Sequence, residues 1–192
     1  PAIFAQRSFT IGATGSALCQ VGFFSIYFGL PLYMREVWSW SPLKIGFALI
    51  PLNVIPLLTA AVAGKIVDKQ GPRPMVIFGG VWSGVSFLII GFFLIEAGYI
   101  LFALGLLVSG LGAMAIGNNT TIATLLDIED GLLASASSAS YTARRLGSAL
   151  GAVLTASIVG NRLGSDFKDV YIWVWILGAG AYLLGSLITY LY

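Results

Sequence analysis

The sequence predicts an all-α membrane protein in which six transmembrane helices form one bundle. Mean hydropathy is +0.93. Only 9% of the residues are charged, against about 25% in soluble domains. The apolar stretches also continue for about 20 residues without the period-two alternation of a membrane strand. A hydrocarbon core about 30 Å thick is crossed by about 20 helical residues at 1.5 Å each, so each stretch has the reach of one span.

Six runs meet that length, at approximately 11–34, 43–64, 74–95, 98–121, 134–160 and 170–191. The first ends at Arg35 and Glu36. The second carries Pro51 and Pro56, each of which removes a backbone donor and bends or breaks a helix. A charged stretch, Lys65 to Arg73, separates it from the third, which ends at Glu96. The fourth is closed by Asp127, Glu129 and Asp130. The fifth opens in the Ser-rich stretch "ASASSASYTA" and contains Arg144 and Arg145; Arg162, Asp166, Lys168 and Asp169 precede the sixth. Short connections make neighbouring helices antiparallel and leave no room for a second domain, so residues 1–192 are expected to form one bundle. The chain opens at Pro1 without an initiating Met or a signal-peptide pattern, and is expected to be a piece of something longer.

Several function classes have no material here. Cys19 stands alone and there is no His, which leaves neither a disulfide nor a Cys/His metal site to build. A formal charge of +2, without a basic cluster interleaved with aromatics, argues against nucleic acid as a partner. No nucleophile–base pair, phosphate cradle or metal set is present, so the protein is not expected to be an enzyme, and no cofactor is expected.

Inside the spans, polar residues are the informative ones, because each is costly in lipid unless it faces protein or water. Gln20, Tyr27, Asn53 and Asn118 are therefore candidates for a cavity wall. For Gln20 and Asn53 a helix–helix hydrogen bond is an equal alternative, and for Asn118 to Thr121 interfacial capping competes. Arg144 and Arg145 lie roughly 15 Å into their helix, near the bilayer middle. Intramembrane charge suggests a functional site; the favoured alternative is that both arginines snorkel to headgroups, leaving a span from Leu146 to Leu163. Gly105, Ser109 and Gly112, Gly147 and Gly151, and Gly178 and Gly185 read as packing seams. Trp38, Trp40, Trp173 and Trp175 read as interfacial anchors at one end of the bundle. An even number of spans puts both ends on one side. Basic residues number six on that side and four on the other, and four against four without Arg144 and Arg145, so charge alone does not orient the bundle.

Several stretches in this order resemble the C-terminal half of a major facilitator superfamily transporter, most like the fourteen-helix drug:proton antiporter branch. They are "FAQRSF" at 4–9, "LPLYMRE" at 30–36 and "SPLKIGFALIP" at 41–51. Gly64, Asp68, Lys69, Gly71 and Arg73 match the superfamily's G-x-x-x-D-[RK]-x-G-x-[RK] loop signature. Thr142, Arg144, Gly147 and Gly151 stand at the spacing of the branch's G-x-A-S-x-x-N-T-x-R-Q-x-G-x-x-x-G segment, with Tyr141 in place of its Asn and Arg145 in place of its Gln, and Gly131, Ala134 and Ser135 resemble its opening at a longer spacing. The resemblance implies one of two helical halves that rock about a central site, with the N-terminal half missing here. It implies cytoplasmic termini, a bacterial inner membrane, and proton-coupled export of small amphipathic compounds or drugs, the gradient being the driving force. The coupling carboxylate would lie in the missing half, since no Asp or Glu sits deep in these six runs.

Under that resemblance Gly64 to Arg73 is a cytoplasmic gating loop: Gly71 permits a tight turn, and Asp68 is placed to cap or pair with a helix end of the other half. Lys65, Lys69 and Arg73 would snorkel to headgroups or bridge to acidic groups; the alternative is that this basic loop only sets the topology and has no gating role. Thr142, Arg144 and Arg145 form a polar corner on the fifth helix. A dedicated metabolite or siderophore exporter shares every one of these motifs, and a non-transporting sensor or scaffold on the same fold is the remaining alternative.

Overall fold

The computed structural model describes residues 6–94, 97–116, 119–126, 128–161 and 167–191. Among them every regular element is helical. The helices are α1 (Arg7–Glu36), α2 (Pro42–Ala48), α3 (Ile50–Gln70), α4 (Pro72–Ile89), α5 (Tyr99–Ile116), α6 (Asn119–Leu125), α7 (Leu133–Gly160) and α8 (Phe167–Tyr190). A π-turn at Ile90–Leu94 extends α4, and a 3-10 turn at Asp130–Leu132 precedes α7. Among the described residues five stretches are long and apolar enough to cross a bilayer: Arg7–Glu36, Pro42–Gln70, Pro72–Phe93, Tyr99–Leu125 and Val170–Tyr190. The protein is therefore an integral membrane protein. The fifth expected span forms a helix of 28 residues, α7, but its Ser-rich first half and two arginines keep it out of that set.

Proline chemistry decides the second span. Ser41 caps α2 by accepting from Lys44 N at 3.4 Å, and Pro42 occupies the first helical position, where no N–H is needed. The helix is then interrupted at Leu49, because Pro51 has no N–H for the carbonyl four residues back. Pro56 lies within a continuous α3, so of the two expected bends only Pro51 divides the span. Helix α3 continues to Gln70, since nothing from Gly64 onward breaks it before Gly71. The charged connection expected at 65–73 is thus a single residue. Gly71 sits at φ 81, ψ 169, and its N–H donates to Val67 O at 2.8 Å; Pro72 then opens α4.

Helix α1 is the hub. It packs most extensively against α8 and α7, and α8 passes the arrangement on to α4, α4 to α5, and α5 to α3. The result is an arc, α7–α1–α8–α4–α5–α3, whose two ends have no substantial packing on each other. Lipid supplies no hydrophobic drive between helices, so the contacts depend on small residues that bring backbones together. Gly15 faces Gly185 and Gly22 faces Gly178, antiparallel: a Cβ at Gly22 would stand 2.7 Å from Gly178 O, and one at Gly185 2.9 Å from Gly15 O. On the other side of α1, Gly147 abuts the Ala17 carbonyl, and a Cβ at Gly151 would stand 2.5 Å from Val21 O. Ser25 Oγ donates to Gly151 O at 3.2 Å and Thr155 Oγ1 to Ser25 O at 3.3 Å, which fixes α1 and α7 as parallel neighbours.

Aromatic residues close the end of the arc opposite Gly71. Tyr33 lies edge-on to Trp38 (5.7 Å) and Tyr171 (5.2 Å), Trp38 to Phe102 (5.3 Å), and Lys44 Nζ sits 3.8 Å from the Trp40 ring. Tyr171 OH donates to Glu36 Oε2 at 2.7 Å. Trp175, expected as an interfacial anchor, is 1% exposed and belongs to this core, whereas Trp173 is 64% exposed. Gly91, in the π-turn, makes room for its ring: a Cβ there would stand 2.5 Å from Trp175 Cγ.

Gly151→Val should force α1 and α7 apart and cost about 1–3 kcal/mol or more. Gly180, with open space around its Cβ position, should accept Ala within about 1 kcal/mol of the parent. Thermal unfolding of the purified full-length protein in detergent compares the two.

Candidate functional site

The concave side of the arc holds a cavity of about 270 Å³. Five helices build it. Helix α1 presents Gln20, Phe23 and Phe24, which share one face at helical i, i+3, i+4 spacing. Helix α3 adds Leu52, Asn53 and Pro56, α5 adds Ala113 and Ile116, and α7 adds Arg144. Tyr182 of α8, fully buried, forms the floor and packs its ring parallel to Phe87 at 6.2 Å.

Arg144 is the cationic member of this wall. It stands about 16 Å along α7 and meets Gln20, which stands roughly 20 Å along α1, so the contact lies deep in the span. The Gln20 amide oxygen, in the orientation that satisfies both groups, accepts from Arg144 Nε (3.3 Å) and Nη2 (3.1 Å). Arg144 Nη1 donates to Thr121 Oγ1 on α6 at 2.5 Å. The favoured sequence expectation, that both arginines snorkel outward, is corrected for Arg144: Gln20 and Thr121 hold its head inside the bundle. Arg145, one residue on and therefore about 100° round the helix, is exposed and lies over the Tyr141 ring, with its guanidinium donating to Tyr141 OH.

The other expected residues separate. Asn53 lines the cavity, and its Nδ2 donates to Leu49 O of its own helix at 3.3 Å, so it makes no helix–helix bond in this state. Tyr27 continues the Gln20 stripe by one turn but is 41% exposed and stacks on Phe23 at 5.4 Å instead of lining the cavity. Asn118 lies outside the described residues. Thr142 is exposed, its hydroxyl donating to Ser138 O at 2.8 Å. At the Gly71 end, Gly64, Asp68 and Lys69 are exposed on the last turns of α3. Arg73 does not snorkel outward; it is half-buried and lines a narrow cleft with Ser16, Thr120, Thr124 and Thr189.

Sequence reasoning missed Phe23, Phe24 and Pro56, although helical spacing from Gln20 and Asn53 points to all three. Thr121 sat in a polar cluster read as a cap. Nothing in the sequence marks Tyr182, since only the packing of α8 brings it under the cavity.

Aromatic walls with a few convergent polar groups suit a small amphipathic ligand, and a half-buried cation inside a helical membrane bundle is a functional-site candidate. A model of the Major Facilitator Superfamily matches residues 12–192, and the chain belongs to that family of transporters. Over 173 residues it is 28% identical to the riboflavin transporter RibZ of Clostridioides difficile, covering 86% of this chain and 36% of that protein. It is 26% identical to the multidrug export protein EmrB of Escherichia coli K12 over 83% of this chain and 31% of that one. It is 23% identical to the tetracenomycin C resistance and export protein of Streptomyces glaucescens, over 88% and 31%. The chain thus spans about a third of the length of these relatives.

Gln20→Leu should cost about 1–3 kcal/mol, because it removes an acceptor from a half-buried guanidinium. The loss should shrink in an Arg144→Met background, as a double-mutant cycle of thermal unfolding measures.

Proposed function

We propose that this chain is the C-terminal six-helix half of a secondary active exporter, with α7 as its fifth span. The carrier moves small amphipathic compounds outward in exchange for protons by alternating access. The observation that carries the reading is the cavity, which five helices line with aromatic side chains and a few polar ones. A second helical half would complete it, as rocking halves around a midplane site require. The coupling carboxylate then belongs to the half outside this chain, and the termini of this half face the cytoplasm of a bacterial cell. Asp68, exposed and without a hydrogen bond or ion pair among the described residues, is free to engage a helix N-terminus of the other half as a reversible latch.

Proteoliposomes of the full-length protein with an acidic lumen should accumulate an amphipathic dye, and a protonophore should abolish the accumulation. Flux indifferent to the gradient would sink proton coupling; no flux of any solute would sink the transport reading. Asp68→Asn should slow that transport at least about fivefold at unchanged membrane abundance, the effect of about 1 kcal/mol of lost coupling.

The riboflavin transporter among the relatives favours a second reading, a carrier dedicated to one metabolite. That reading expects riboflavin, and no unrelated amphipath, to be carried by the same proteoliposomes.

A further inference from the structure

Among the described residues, one polar face of α7 is left uncovered. At about 100° per residue, Gly147 and Gly151 point to α1, Arg144 stands at the edge of the cavity, and Tyr141 follows about 60° further round. From there Ala134, Ser138, Tyr141, Arg145, Ala149 and Ala156 share an exposed face about 80° wide. Beyond it the exposed residues turn apolar, with Leu146, Leu150 and Leu154. These two parts of the exposed surface have different chemistry. Leucines suit lipid tails, whereas Ala and Ser around one Tyr and one Arg are what membrane helices present to other helices.

Arg145 fixes the sign of what covers this face. Gly147 abuts Ala17 of the parallel α1, about 15 Å from the start of that 30-residue helix, so Arg145 lies about 12 Å in. An ionised side chain inside a span pairs or faces water. The partner it has among the described residues is neutral: the Tyr141 ring lies 4.7 Å from its guanidinium carbon, and the Tyr141 hydroxyl accepts one N–H. The other donors of the fork remain for an acceptor. Glu129 and Asp130 lie before the first turn of α7, at least about 18 Å back along its axis, and so belong to a different level of the bundle.

We propose that this face docks a membrane-spanning helix from the rest of the full-length protein, and that the docked helix carries a carboxylate paired with Arg145. The chain spans about a third of the length of its relatives, and the second half invoked above supplies the helix; the inference rests on that reading and adds the place and the sign of the contact. An Arg–carboxylate pair is planar and two-pronged, so it sets the register of the docked helix as well as matching its charge. Ser138 and Ala149, about one or two turns to either side, let the two backbones close on each other around it.

The test places the photo-crosslinker p-benzoylphenylalanine at Arg145 of the full-length protein in proteoliposomes, and maps the product by mass spectrometry. The same probe at Ala149, one turn along the face, covers the case in which loss of Arg145 prevents folding. Capture of a spanning peptide from the same polypeptide, outside residues 1–192, with an Asp or Glu within one turn of the captured site, is expected. Arg145→Glu is then expected to lower the midpoint of thermal unfolding in detergent by at least about 4 °C, and exchange of the captured acid for Arg in the same protein to recover at least about half of that loss. Capture of phospholipid alone overturns the proposal, since Arg145 then snorkels to headgroups. Capture of a second copy of the protein, or of nothing at either position, overturns it as well. A captured helix without an acid, or a charge exchange that recovers nothing, overturns the ion pair. Capture and recovery in a protein that carries no solute leave the docking standing and overturn the exporter reading alone.

Discussion

The close approach of backbones along α1 is the interaction on which the rest of this bundle depends. In lipid the helices gain nothing from hiding apolar side chains from one another, so association rests on dispersion contact and buried hydrogen bonds. Both need short distances. On one side of α1 the glycines at 15 and 22 meet those at 185 and 178, and on the other Gly147 and Gly151 sit against carbonyls of α1 itself. Because α1 is held on two sides through its own backbone, α7 and α8 take their positions from it, and the arc that encloses the cavity follows.

That geometry also accounts for the position of Arg144. Gly147 and Gly151 fix the rotation of α7 about its axis, and Arg144 lies three residues before Gly147, on the adjoining part of the same face. Its side chain is thereby turned toward α1 and α6, where Gln20 and Thr121 wait. Arg145, displaced round the helix, finds no such site and uses Tyr141 instead. Two adjacent, chemically identical residues have opposite environments because a small-residue seam sets the phase of the helix. The departure from the family pattern at Tyr141 and Arg145 is therefore one linked exposed pair and leaves the inward group untouched.

Span-level organisation was legible in the sequence because hydropathy and length report directly on the bilayer. The glycine seams on α7 and α8 were legible too, since small residues at fixed spacing have few other uses in lipid. What escaped was whatever depends on rotation and on what lies across a gap. Trp175 read as an anchor from its place near a span end, yet the π-turn and Gly91 open a pocket that draws it into the core. The charged stretch after α3 read as a loop because charge usually marks a connection; Lys and Gln are good helix formers, and only Gly71 ends the helix. Arg144 and Gln20 were each noticed separately, but they stand 124 positions apart, and no local pattern joins them. Phe23 and Phe24 were hidden by abundance, being two aromatic residues among many in an apolar helix.

The arc is unevenly built, and the unevenness has a mechanical meaning. Half of the apolar window of α1 is buried, but only 17% of that of α2–α3, whose Leu57 and Leu58 are 79% and 70% exposed. Helix α3 is joined to the rest through α5, where Gly110 abuts the carbonyl of Leu52 and the ring of Pro56, and it is bounded by a break at Leu49 and a one-residue turn at Gly71. A displacement of one residue along α1 would drive Cβ atoms into carbonyls on both sides, so shear inside the α7–α1–α8 group is strongly opposed, as in any close-packed interior. Helix α3 has no second partner of that kind and has backbone discontinuities at both ends. It also contributes Asn53 and Pro56 to the cavity wall and carries Asp68 at its far end. The one wall of the cavity that is weakly held is therefore the same element that presents the exposed carboxylate, so a force applied at Asp68 reaches the cavity through a single helix while the wall bearing Arg144 stays in place.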